Sequence, residues 1–186
     1  GGEPATVAMD GTWHVVRGAG DNVSQAGYTF DEKLPAGAKT TSGRTEDVKG
    51  DFKVKDKKLT EGKVTVDVAS ISSDVEKRDI NVRKSILHTD RFPEASFTLT
   101  KPADVSKLPD DGTTDTVSVT GNLELHGKKK EMTAELKVLR TGEHVILQGN
   151  IPFKRSDFDI ATPQFVAATI ADQGTLDVLL VLEQVK

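Results

Sequence analysis

The stretch KVTVDV, Lys63 to Val68, decides the fold. Val64, Val66 and Val68 fall on alternate positions, with Lys63, Thr65 and Asp67 between them. Successive side chains of an extended chain point to opposite faces, so the stretch reads as a strand with one buried and one wetted side.

The same period of two runs outward along the chain. It recurs in Ala26, Tyr28 and Phe30, in Phe52 and Val54, and in Phe97 and Leu99. It continues in Val117, Val119, Leu123 and Leu125 around Gly121, and in Met132, Ala134, Leu136 and Val138. Val145, Leu147, Ile151 and Phe153 around Gly149 repeat it, and Leu176, Val178, Leu180 and Leu182 close the series. Turn-forming clusters separate these runs, among them Pro35-Ala36-Gly37, Asp110-Asp111-Gly112, His126-Gly127 and Thr141-Gly142. About eight antiparallel strands joined by short turns make an all-β meander, and a long meander removes its exposed edges by closing into a barrel. A two-sheet sandwich is the alternative. Gly121 and Gly149, lying within apolar faces, would permit sharp coiling or leave internal room.

One stretch breaks the pattern. KRDINVRKSILHTDRFPEASFTL, Lys77 to Leu99, starts as a charged helix and ends as an alternating strand. Ser73-Asp74-Val75-Glu76 matches a capping box, and Pro93 stops the helix, which is expected near residues 73–88. Val75, Val82 and Ile86 form its apolar stripe, flanked by Ile80 and Leu87. A barrel would use such a helix across one open end. Asp79 lies in that stripe with Arg83 four residues on and Arg78 beside it. An ordinary helix-surface ion pair is one reading, and a polar mouth made of Arg78, Asp79 and Arg83 is the other.

Composition narrows the function. The 186 residues carry 25 basic and 29 acidic side chains spread evenly, for a net charge of -4, and aromatics make up 5%. Neither the basic face nor the stacking rings of a nucleic-acid binder are present. There is no cysteine, and His14, His88, His126 and His144 show no metal-ligand spacing, so no metal site is expected. No nucleophile elbow or phosphate loop occurs, and the sequence is read as a non-enzyme without a catalytic cofactor. Asn22-Val23-Ser24 matches a glycosylation sequon, a pattern common by chance. Residues 1–10 read as a flexible leading segment and 11–186 as a single domain.

The inward faces have two readings, a packed core or a cavity for an apolar molecule. Eight strands enclose an interior that side chains can just fill or that can hold one small ligand. The inward positions are mostly valine, alanine, leucine and glycine, which leave more room than rings would. The residues expected to line such a cavity are Ala26, Tyr28, Val64, Val66, Val68, Phe97, Leu99, Leu123, Leu136, Leu147, Ile151 and Leu180.

A family resemblance enters on particular residues. Trp13, Ser24-x-Ala26-x-Tyr28-x-Phe30, Gly43 and Gly50 before Phe52, and Val66-Asp67-Val68-x-Ser70-Ile71 resemble the YceI-like domain. So do Arg78-Asp79, Arg91-Phe92-Pro93, Ala95-x-Phe97, Gly121-x-Leu123 and His126-Gly127, the whole pattern spanning roughly residues 11 to 183. The residues around Arg44 and Gly127 look closest to its actinobacterial branch. Where the family often has a His-Leu pair and a double phenylalanine, this chain has Asn81-Val82 and Leu87-His88. The resemblance implies an extended lipocalin-like barrel that carries or stores a long apolar lipid, a polyisoprenoid or isoprenoid quinone, in an exported protein of the periplasm, envelope or extracellular space. Peripheral contact with a membrane, and either a monomer or a homodimer, fit that reading. A filled barrel serving as an envelope interaction or stress-related structural module is the alternative.

Overall fold

A computed structural model describes residues 2–162 and 169–186. In chain order the strands are β1 (Gly11–Val16), the short β2 (Gly18–Ala19) and β3 (Asn22–Val23), β4 (Gln25–Leu34), β5 (Gly37–Thr45), β6 (Val48–Lys55) and β7 (Lys58–Asp67). Then come β8 (Glu94–Leu99), β9 (Ala103–Asp104), β10 (Thr114–Leu125), β11 (Lys128–Thr141), β12 (His144–Lys154) and β13 (Thr169–Gln184).

Eight of these close a ring in the order β1, β6, β7, β8, β10, β11, β12, β13, with β13 pairing back to β1 through Trp13↔Gln184 to Val16↔Val181. Every pairing in the ring is antiparallel. The wall is therefore the closed antiparallel barrel that the alternation implied, and the sandwich is excluded. The 16 residues of β13 reach roughly 50 Å at about 3.3 Å per residue. One partner is not long enough to cover it: β4 pairs its first part and β1 its last. β5 and β6 lie alongside β4 and β1 in the same way.

Between β1 and β4 the chain leaves the wall as the β2–β3 ribbon. Ser24 anchors the return: its hydroxyl donates to Val16 O at 2.6 Å and accepts from Val181 N at 2.8 Å. The serine of the sequon is thus buried and structural.

Local sequence accounts for the tight corners. Asp56-Lys57 and His126-Gly127 are two-residue hairpin loops with both φ values positive, the mirror-type turn whose twist matches the flanking strands. Gly127 is needed twice over, for its φ of 72° and because a Cβ there would meet the Phe92 ring at 2.6 Å.

The core divides into a lower cluster around Trp13, Val54, Val105 and Leu108 and an upper cluster around Tyr28, Phe30, Val82, Ile86, Phe153 and Phe158. Val66 and Phe97 pack against both. At the lower end Trp13 is 2% exposed and its indole donates to Met9 O at 2.8 Å. The leading segment, read as flexible, lies along this end: Ala5 N donates to Asp110 O, Thr6 N to Gly142 O, and Arg140 and Gln184 reach the carbonyls of Val7, Ala8 and Asp10.

The helical region expected near residues 73–88 sits at the upper end but is built differently. It is one α-helical turn and a half, α1 (Glu76–Asn81), followed by a π-turn over Val82–Ile86. No capping box forms. Val75 occupies the cap position with no side-chain bond, and Glu76 does not reach back. Ser73 turns its hydroxyl to Asp79 instead. The apolar stripe is also shorter than the helical wheel gave, because Val82 and Ile86 are buried while Val75 and Ile80 are exposed. The π-turn shifts the phase after Asn81, which lets two apolar residues dock and leaves the first turn in solvent.

Candidate functional site

The interior is hollow. A cavity of about 500 Å³ runs through both core clusters, within the range of roughly 300–1,000 Å³ typical of small-molecule sites. All twelve residues expected on its wall line it: Ala26, Tyr28, Val64, Val66, Val68, Phe97, Leu99, Leu123, Leu136, Leu147, Ile151 and Leu180. Every strand of the ring supplies at least one apolar side chain to the lining, β1 through Trp13. The register slips at Lys53/Val54 and Ile170/Gly174 leave those twelve positions facing inward.

The two glycines add to this space only indirectly. A Cβ on Gly121 would meet Thr98 O at 2.5 Å and the Phe97 ring at 2.7 Å, and one on Gly149 would meet Leu136 Cδ2 at 2.7 Å. Each glycine is a seat for a neighbour's side chain, so Phe97 and Leu136 lie flat against the wall and narrow the bore less than they otherwise would.

The lower end is closed by Met9, Trp13, Val105 and Leu108. Polar lining residues gather at the upper end, where Lys77, Arg78 and Asn81 of the helical region join Glu32, Thr41, Arg155 and Thr162. Glu32 continues the inward face of β4 and Thr41 lies on β5, whereas the others come from the helical region and the segment between β12 and β13, where strand alternation had no means of finding them. Only the charge-rich helix signalled them, and it did so imperfectly.

Of the three expected mouth residues, Arg78 lines the cavity. Asp79 does not, being buried under Ser73, whose backbone N and hydroxyl donate to its two carboxylate oxygens. Arg83 donates to Ile71 O at 3.2 Å, fastening the π-turn to the chain leaving β7. Burial works against the Asp79 charge, but the two Ser73 hydrogen bonds with Arg83 and Arg78 nearby hold its carboxyl below the usual aspartate value. The Tyr28 hydroxyl is shifted upward, first by burial and then by the Asp79 charge. Among the described residues no three histidine, aspartate or glutamate side chains gather as a metal site would require.

Comparison with known proteins agrees with this architecture. The YceI-like domain model matches residues 21–182. A UPF0312 protein of Vibrio parahaemolyticus is 31% identical over 147 residues, which covers 74% of this chain and 69% of the relative. Protein YceI of Escherichia coli is 31% identical over 117 residues, and there the match spans 62% of this chain but only 46% of the relative. Among solved structures, a polyisoprenoid binding domain from Saccharophagus degradans, implicated in plant cell wall breakdown, superimposes with a TM-score of 0.69 at 17% identity, covering 93% of this chain and 98% of its own. Burkholderia cenocepacia BcnA superimposes with a TM-score of 0.66 at 22% identity, covering 84% and 95%. At those identities the structures speak to the fold, whereas the sequence matches speak to descent: the chain belongs to the YceI-like domain family.

Proposed function

We propose that the protein binds one long-chain apolar lipid inside the barrel and carries or stores it without chemical change. The observation that carries this is the continuous hollow lined by inward apolar side chains from almost every stave of the wall. A well-packed domain of this size would fill such a space with its own side chains, since leaving it empty forfeits packing energy. A guest chain recovers that energy, with about 0.8 kcal/mol for each methylene taken out of water. A polyisoprenoid or isoprenoid quinone suits the bore. Its selectivity comes from length and width, with the polar rim at the upper end meeting the head.

The reading includes no catalysis, and Glu32 is the one carboxylate among the described lining residues. Export to the periplasm, envelope or exterior, and peripheral contact with the membrane that supplies the lipid, belong to the same proposal and rest on the family resemblance. Organic extraction of the purified protein followed by mass spectrometry tests it. A stoichiometric long-chain isoprenoid is the expected result. A clean extract, together with failure to take up any long-chain quinone, would leave the non-binding envelope module as the reading.

A further inference from the structure

The barrel wall has a split between β11 and β12. Their pairing runs from Thr141↔His144 to Lys137↔Gln148 and ends there. Beyond it, residues 128–136 of β11 stay paired to β10, and residues 149–154 of β12 stay paired to β13, but the two edges do not pair with each other. Had the register continued, Thr133 would face Pro152 and Met132 would face Phe153. Proline has no N–H to give a ladder, which removes one bond from that edge.

An outer groove occupies the split, bordered by Lys130, Thr133, Pro152 and Gln173. Met132 and Phe153 line both this groove and the central cavity, so a single layer of side chain separates the bore from the outside. Unbonded edges backed by one flexible thioether and one ring make this a weak part of the wall.

The helical turn Arg155–Phe158, which follows β12, crosses the top of the split as a strap. On its β13 side it is pinned firmly. Arg155 donates to the carbonyls of Ile160, Ala171 and Ile170 at 2.9–3.0 Å, and Ser156 donates twice to Asp172. On its β11 side it is held by contacts of another kind: Lys130 Nζ to Asp157 at 2.7 Å, Lys128 Nζ to Asp159 at 3.1 Å, and His126 Nδ1 donating to Phe158 O at 2.9 Å. Those ion pairs are solvent-exposed, and exposed pairs are weak and quickly broken.

We infer that the β11–β12 split is a lateral gate through which the apolar chain enters and leaves the bore, latched by the Lys130–Asp157 and Lys128–Asp159 pairs. A chain passing sideways between strand edges avoids threading lengthwise past the charged rim at the upper end. The inference rests on the lipid-binding reading above.

The test uses the absence of native cysteine. Lys130→Cys and Asp157→Cys together are bridged with a short reversible bifunctional thiol reagent, and uptake of cis-parinaric acid is followed by its fluorescence. The bridged protein should take up the probe at least about tenfold more slowly than the unbridged variant, reach the same final occupancy, and recover its rate on reduction. Lys130→Glu in the otherwise native chain should speed uptake about two- to fivefold by setting two carboxylates against each other. Uptake at the same rate with and without the bridge overturns the gate and leaves lipid binding intact. No probe bound at equilibrium by the native protein overturns the lipid-binding reading itself.

Discussion

Ser73 grips Asp79 twice, its backbone N donating to Oδ2 at 2.8 Å and its hydroxyl to Oδ1 at 2.6 Å. This pair converts a charged helix residue into the clasp that fixes the helical region at the upper end. Asp79→Asn should cost about 1–3 kcal/mol in urea unfolding at neutral pH, because a buried acceptor set built for a carboxylate is lost. The pH dependence has a definite sign. The folded protein holds Asp79 below its ordinary value, so the stabilisation is complete above about pH 4 and is lost as pH falls through the folded value. The gap between native protein and Asp79→Asn should therefore close in acid. A gap that stays constant from neutral pH to about pH 2 would show that the charge does not matter.

Val66 lies at the waist, packed against both core clusters and facing the bore. Val66→Trp should block uptake of a long-chain quinone while the far-UV spectrum stays that of a β protein. Undiminished uptake by a folded variant would place the lipid elsewhere.

The single tryptophan closes the lower end of the cavity. Trp13 emission should be quenched by a bound quinone whose chain or head comes near that end, and Trp13→Phe should abolish the signal without abolishing binding. Trp13→Ala is a harsher change, removing a side chain that is 2% exposed, and should destabilise by about 3–5 kcal/mol in denaturant titration.

Gly121 and Phe97 form a seat and its occupant. Gly121→Ala should destabilise by about 1–3 kcal/mol through overpacking against the ring and Thr98 O. Adding Phe97→Ala should return part of that loss, so the double variant is less unstable than the sum of the two singles. Strict additivity, read from urea midpoints, would mean that the ring does not depend on the missing Cβ.

Much of the wall was legible in the chain. KVTVDV and its repeats specify which side chains point inward, because a strand's alternation is a local property that neighbours rarely reverse. The twelve inward residues follow from that alone, and closure follows from the cost of leaving strand edges bare. The helix was legible as an interruption but not in its detail. Ser73 had two uses available, capping the first turn or holding Asp79, and local sequence does not rank them.

What only the tertiary structure decided is the space between those faces. Alternation gives the direction of a side chain, not the distance to the one opposite, and that distance depends on strand number, tilt and the pairing of residues far apart in sequence. The same holds for the polar rim, assembled from Glu32, Lys77 and Arg155 on three separate segments, and for the β11–β12 split, where two good strands fail to meet. Direction is written locally in the order of residues, while volume and gaps arise from long-range packing, so the sequence determined the wall and the fold determined that it encloses a hollow.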